Sequence, residues 1–160
     1  MPGYEEQLSE LLRQEALLQF TEFSNEIAFA VGMSLVETAR QDALPITVDV
    51  HRHGQQLFHC ALPGTSADND AWIQRKNRVV NRFGHSSLYV GTELASKGTT
   101  IEQRSLLDPT RYAAHGGAFP VIIRGVGVVG TVTVSGLPQQ EDHALVVRVL
   151  AEFLGVSLEP

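Results

Sequence analysis

The sequence predicts an α+β protein, an antiparallel sheet flanked by helices, and three observations carry that prediction. Alternating apolar and polar runs come as two turn-linked pairs, each joined through glycine, as antiparallel hairpins are. Segments of helical period precede, separate and follow the pairs. Neither GxGxxG nor GxxxxGK[ST] opens any helix, as a nucleotide-binding parallel sheet would require. The 160 residues fit one domain spanning 1–160. At 43% hydrophobic residues, the composition rules out disorder, collagen and a heptad rod.

The elements follow in order. From Tyr4 to about Leu18, Leu8, Leu11, Leu12, Ala16 and Leu17 recur at helical spacing, with Glu5, Glu6 and Glu10 toward the positive end of the dipole. The next stretch, LLQFTEF, reads either as a helix end or as a short strand. Ser24 is the N-cap of a second helix that runs to about Gln41, with Ile27, Val31, Leu35 and Ala39 on one face. Gly32 inside it is tolerated if close packing uses the missing side chain. After Pro45, ITVDV alternates as a half-covered strand, RHGQ turns, and QQLFHCAL returns. Asp68 or Asp70 caps a third helix, DNDAWIQRKNRVVNRF, which stops before Gly84. Ser86 or Ser87 starts a fourth that ends at Lys97 and Gly98, and Asp108 with Pro109 opens a short helical piece, DPTRYAA. AFPVIIR and VVGTVTVSG form the second hairpin, and the last helix spans about Gln139 to Leu154.

The third helix carries the most chemistry. At about 100° per residue, Lys76 falls inside the apolar stripe of Trp72, Val79, Val80 and Phe83. Arg75, Arg78 and Arg82 share its flank, and Gln74, Asn77 and Asn81 take the far face. Guanidinium forks beside a desolvated lysine make an anion site. The competing reading has the lysine running its methylenes to water, the arginines solvating the helix, and Trp72 serving as core or interface packing.

Six histidines spell no metal motif, and no metal site is predicted. His51 and His53 straddle a turn, while His115 precedes Gly116 and Gly117, where close backbone approach suits a ligand contact. Cys60, the single cysteine, reads as core packing, and a hydrolase triad lacks its GxSxG. Asp49 points away from the Ile46, Val48 and Val50 face, as an exposed or hydrogen-bonded carboxylate or a charge serving the lysine.

Eighteen acidic residues against twelve basic ones, a net charge of -6, argue against a nucleic-acid or anionic-membrane surface. No apolar stretch approaches the roughly 20 residues that span a bilayer, and the N-terminal segment is acidic, so a cytoplasmic protein is expected.

DNDAWIQRKNRVVNRFGHSS followed by GGAFPVIIRGVGVVGTVTVSGLPQQEDH resembles the UPF0303 family, within the haem-degrading-like group that includes GlcG-like and HbpS-like proteins. Trp72, Arg75, Lys76, Phe83, Ser86 and Ser87 carry the first half of the match. Gly117, Phe119, Pro120, Gly130, Val134 to Leu137, Asp142 and His143 carry the second. The resemblance implies a profilin-like fold with a sheet of four or five strands flanked by helices, assembled as a dimer or larger homo-oligomer. It also implies haem as the cofactor to consider, although no CxxCH attachment motif is present. It transfers no catalytic residue, and haem breakdown would further need O₂ activation and an electron donor.

These observations converge on a small-ligand-binding domain with a pocket between the third helix and the Gly116 to Gly136 region. Its candidate ligand contacts are Arg75, Lys76, His115, Gly116, Gly117 and His85. An anionic small molecule is the expected ligand, or a haem whose propionates meet the cations and whose iron meets His115 or His85. The alternatives are a non-catalytic interaction or assembly factor and an enzyme acting on another small ligand.

Overall fold

In the computed structural model, which describes residues 2–160, α1 (Tyr4–Leu17) and α2 (Asn25–Gln41) lead into the hairpin β1 (Thr47–Arg52) and β2 (Gln55–Ala61). Then come α3 (Ala67–Phe83), α4 (Ser87–Ser96), α5 (Ile101–Ser105), the hairpin β3 (Ala118–Ile123) and β4 (Gly127–Ser135), and α6 (Gln139–Leu154). The sheet order is β2-β1-β4-β3 with every neighbouring pair antiparallel, so β1 and β4 join the two hairpins at the centre. The α+β class and the antiparallel sheet flanked by helices are as the sequence indicates.

One face of the sheet meets α2 and α6. Val48, Val50, Phe119, Val121, Val132 and Val134 pack there with Val31, Leu35, Val146 and Leu150 in the main core. Gly32 has its reason here: a Cβ on it would collide with the Phe58 ring of β2. Phe20 settles the ambiguous stretch after α1, since its N–H donates to the Ile122 carbonyl and its carbonyl accepts from Arg124. That short parallel bridge covers the outer edge of β3.

The opposite face is where the structure departs from expectation. Read as half-covered, β1 is covered on both sides, because α3 lies across the polar face of the sheet. Thr47 and Asp49 are buried along with Thr131, Thr133 and Ser135 of β4. Period-two alternation therefore separates an apolar layer from a buried polar layer, not core from solvent. A second, smaller core under α3 and α4 gathers Val79, Val90, Leu94 and Ile101.

Two local expectations are corrected. Ser66, rather than Asp68 or Asp70, is the N-cap of α3, in a capping box with Asn69, whose side chain accepts from the Ser66 N–H. The fifth helix lies earlier than DPTRYAA: Thr100 caps Ile101–Ser105. Asp108 instead accepts from the N–H and hydroxyl of Thr110, an Asx turn that competes with helix initiation. Among the described residues no helix is long and apolar enough to cross a membrane.

Candidate functional site

Lys76 is 3% exposed. Helical spacing aims it from α3 across the sheet, where its ammonium donates to the Val134 carbonyl and to Asp142 Oδ2, each at 3.2 Å. Asp142, in the first turn of α6, also accepts from the backbone N–H groups of Leu137 at 2.9 Å and Gly136 at 3.4 Å. One carboxylate thus closes the entry to α6 and neutralises the buried lysine. Burial lowers the Lys76 ammonium and raises the Asp142 carboxyl, and their mutual attraction works against both shifts.

Gly117 makes the lysine's path available. With φ at +137, a Cβ there would sit 2.6 Å from Lys76 Nζ and 2.5 Å from the Val134 carbonyl. Gly116 donates its N–H to Gln139 Oε1 at 2.9 Å, and a Cβ would strike the Gln139 carbonyl. Both glycines serve the close packing of β3 on the start of α6, and the Gly116 N–H is already used within the protein.

The pair lies at the floor of a depression of about 370 Å³, walled by Asn69, Trp72, His115, Ser135 and Gln139. Trp72 and His115 stand edge to face with ring centroids 5.4 Å apart. On their other side is a more apolar depression of about 330 Å³, with Arg75, Leu94, Ala95, Ile101, Tyr112 and Ala113 on its walls. Arg75 lies over the Trp72 ring, 4.2 Å from its centroid, and donates Nε–H to the Ala71 carbonyl. Desolvation, with Lys76 and Arg75 adding repulsion, lowers the pKa of His115, so the imidazole is neutral at pH 7.

The structure therefore brings Lys76 and His115 to one depression and Arg75 and His115 to its neighbour, with the Trp72–His115 ridge between. It does not assemble the arginine and lysine cluster expected on α3. Arg78 donates to the Arg111 carbonyl at 3.0 Å, and Asn77, placed on the far face, is buried. Ile73 explains the error: it too is buried, so the stripe is centred to one side of Trp72. The polar depression is not cationic, since Asp142 balances Lys76 and Asp68 sits at its edge.

His85 lies apart from both depressions that His115 borders. Its Nδ1 is 2.8 Å from Oε1 of Glu15, which accepts from the Ser86 N–H through Oε2 at 3.1 Å, and its ring lies tilted against Tyr89 with centroids 4.5 Å apart. This clips α1 to the start of α4. Sequence reasoning passed over Asp142 as the lysine's partner. The signal was present, because a lysine inside an apolar stripe that does not reach water along its methylenes needs a counter-charge, and Asp142 follows the SGLP turn that closes the sheet.

The fold and the paired depressions define a small α+β domain with a divided ligand-sized surface on the α3 side of its sheet. The family model for haem degrading protein HbpS-like matches residues 23–151, and the chain belongs to that family. A UPF0303 protein of Streptomyces coelicolor is 59% identical over 148 residues, covering 92% of this chain and 94% of that one. The crystal structure of the Ybr137w protein superposes with a TM-score of 0.86 at 33% identity, covering 92% and 88% of the two chains. A PduOC–haem complex superposes with a TM-score of 0.62 at 16% identity over 76% of this chain and 87% of that one, a likeness of fold.

Proposed function

We propose that the domain binds a flat, apolar, carboxylate-bearing molecule across the Trp72–His115 ridge, with haem as the specific candidate. The observation that carries this is the neighbouring depression itself. Its walls are mainly apolar, Arg75 is held at one side by its stack on Trp72, and a neutral imidazole stands at another. Among the described residues, neither ring nitrogen of His115 has a hydrogen-bond partner, which leaves a lone pair free for iron. The residues fit the group: Leu94, Ala95 and Ile101 would take the porphyrin face, Arg75 a propionate, and His115 the metal. Bound haem would supply iron-centred redox chemistry. Membership of the HbpS-like family and the haem-bound structural neighbour support the same reading.

The test is absorbance titration with haemin. Replacing His115 by Ala is expected to abolish the Soret shift, and Arg75→Gln to weaken binding about tenfold, the scale of one charge-assisted contact. Circular dichroism should stay unchanged for both. Saturable haemin binding with the same spectrum in His115→Ala would reject this docking mode.

We also propose that the chain forms a homo-oligomer. Phe29 of α2 is 56% exposed beside Phe58 of β2, and among the described residues no strand pairs with the outer edge of β2. Light scattering over a concentration series is expected to give at least twice the monomer mass, and a persistent monomer would refute it.

A further inference from the structure

On the other flank of α3, the buried polar layer opens into a third depression, of about 430 Å³. Its chemically active walls are His51, His53, Arg78 and Asn81, with Gln74 and Asn77 beside them. We propose that it binds the phosphoryl group of a small phosphorylated molecule.

His51, Asn77 and Arg78 are each held in place by the protein around the depression. Asp49 is 1% exposed and sits between three imidazole and amide neighbours from β1 and β2. His51 Nδ1 lies 2.5 Å from its Oδ2, and Gln56 and His59 lie at 2.8 and 3.2 Å from its Oδ1. Burial raises this carboxyl, but the hydrogen bonds from His51, Gln56 and His59 and the His51 charge outweigh it, and the net shift is downward. Asp49 is therefore an anion at neutral pH that fixes the His51 ring through Nδ1 and leaves Nε2 for the depression. Asn77 is fixed in the same layer: it donates to Asp49 Oδ2 at 3.3 Å and accepts from the Thr133 hydroxyl.

Arg78 is oriented by one N–H on the Arg111 carbonyl, and a guanidinium has four more to offer. His53 occupies the left-handed region at φ 49, with its N–H pinned to the Val129 carbonyl at 2.9 Å, so the β1–β2 turn is held in one conformation. Arg78 and Asn81 thus donate from α3, and the His53 ring stands on the turn. His51 Nε2 on β1, the acceptor nitrogen once Nδ1–H is committed to Asp49, takes the P–OH of a phosphoryl group or, with a second proton, donates to its P–O⁻. These directions match the several outer oxygens of a phosphoryl group better than a planar carboxylate. No carboxylate lines the depression, in a chain whose net charge is -6. Asp49 lies beneath His51, and Asp70 is 3.2 Å from the far side of His59, so both acids stand behind the imidazoles. The volume exceeds that of a bare phosphate and leaves room for an organic portion of a few carbons.

The experiment is a titration of the full chain with inorganic phosphate and, separately, with glucose 6-phosphate, read by ¹⁵N NMR of the imidazoles and by calorimetry. Saturable binding that moves the His51 Nε2 resonance, and that weakens at least tenfold in both Arg78→Gln and His51→Gln, is the expected result. Tighter binding of the sugar phosphate would assign the site to an organic ester, and equal binding to the free ion. Because His51→Gln leaves Asp49 with a donor, and Arg78 is not buried, both variants should fold, which circular dichroism checks; Asn81→Ala provides a third variant on the helix surface. The proposal is overturned by the absence of saturation with either probe, or by binding that leaves His51 unmoved and Arg78→Gln and Asn81→Ala at wild-type affinity. Neither failure bears on haemin binding at the Trp72–His115 ridge.

Discussion

Replacing Lys76 by methionine is expected to lower the free energy of unfolding by about 3 to 5 kcal/mol, the largest single-residue effect on stability predicted for this protein. Methionine keeps much of the apolar length, so the loss does not come from a cavity. It comes from Asp142, 2% exposed, whose Oδ2 would lose the only positive charge within salt-bridge distance among the described residues. Asp142 cannot turn away to water, because it also closes the backbone N–H groups of Gly136 and Leu137 at the start of α6. Methionine would also leave the Val134 carbonyl without the lysine that now donates to it.

Equilibrium urea unfolding measures the loss, with oligomeric state checked at each protein concentration. Adding Asp142→Asn to Lys76→Met is expected to recover most of it. The amide removes the stranded charge, while its oxygen still accepts from Leu137. A Lys76→Met variant within about 0.5 kcal/mol of wild type would make the lysine an ordinary snorkelling side chain. The same variant separates structure from ligand: since Asp142 already satisfies the lysine, haemin affinity per folded molecule should change less than in His115→Ala.

Much of this architecture is legible in the sequence because its signals are local. Ser24 and Ser86 announce their helices, and Gly84 ends α3 as the expected left-handed cap. The alternation around Pro45 and after Gly117 locates both hairpins within a few residues. The class of each sheet face was less accessible. Thr47, Asp49 and His51 alternate with Ile46, Val48 and Val50 in the pattern that a solvent-facing strand would show, and only the crossing of α3 buries Thr47 and Asp49. For the same reason Asn77 looked exposed. The Asp49 cluster depends on cross-strand register, since Asp49 stands opposite His59 only in the folded hairpin. The lysine's partner lies 66 residues downstream, beyond the reach of any periodicity. Sites assembled by long-range pairing thus resisted sequence reasoning, whereas Lys76 itself stood out because it broke a local rule.

The second large effect is an acid-limited stability set by His143. Its Nε2–H donates to Gln14 Oε1 at 2.8 Å, tying α6 to α1, while Nδ1 is buried without a partner near the Phe119 ring. A second proton would have to sit on Nδ1, where no acceptor waits, and burial accordingly lowers the pKa from 6.5 to about 4. The unfolded chain binds that proton near its ordinary pKa and the native state only near the depressed one. Stability is therefore complete above pH 6.5 and falls as the pH drops from 6.5 toward about 4, where this contribution ends. The full span corresponds to about 3 kcal/mol. Asp142, raised by burial, contributes with the opposite sign over part of this fall, and Asp49, lowered, contributes only below the ordinary carboxylate range. Both remain in a His143→Gln variant, whose neutral amide still donates toward Gln14, so the difference between the two proteins isolates the imidazole. Urea unfolding from neutral pH down to about pH 4.5 should show wild type losing stability that His143→Gln retains. Parallel profiles would mean that the ring is protonated in the native state, with an acceptor for Nδ1 supplied from outside these packed residues.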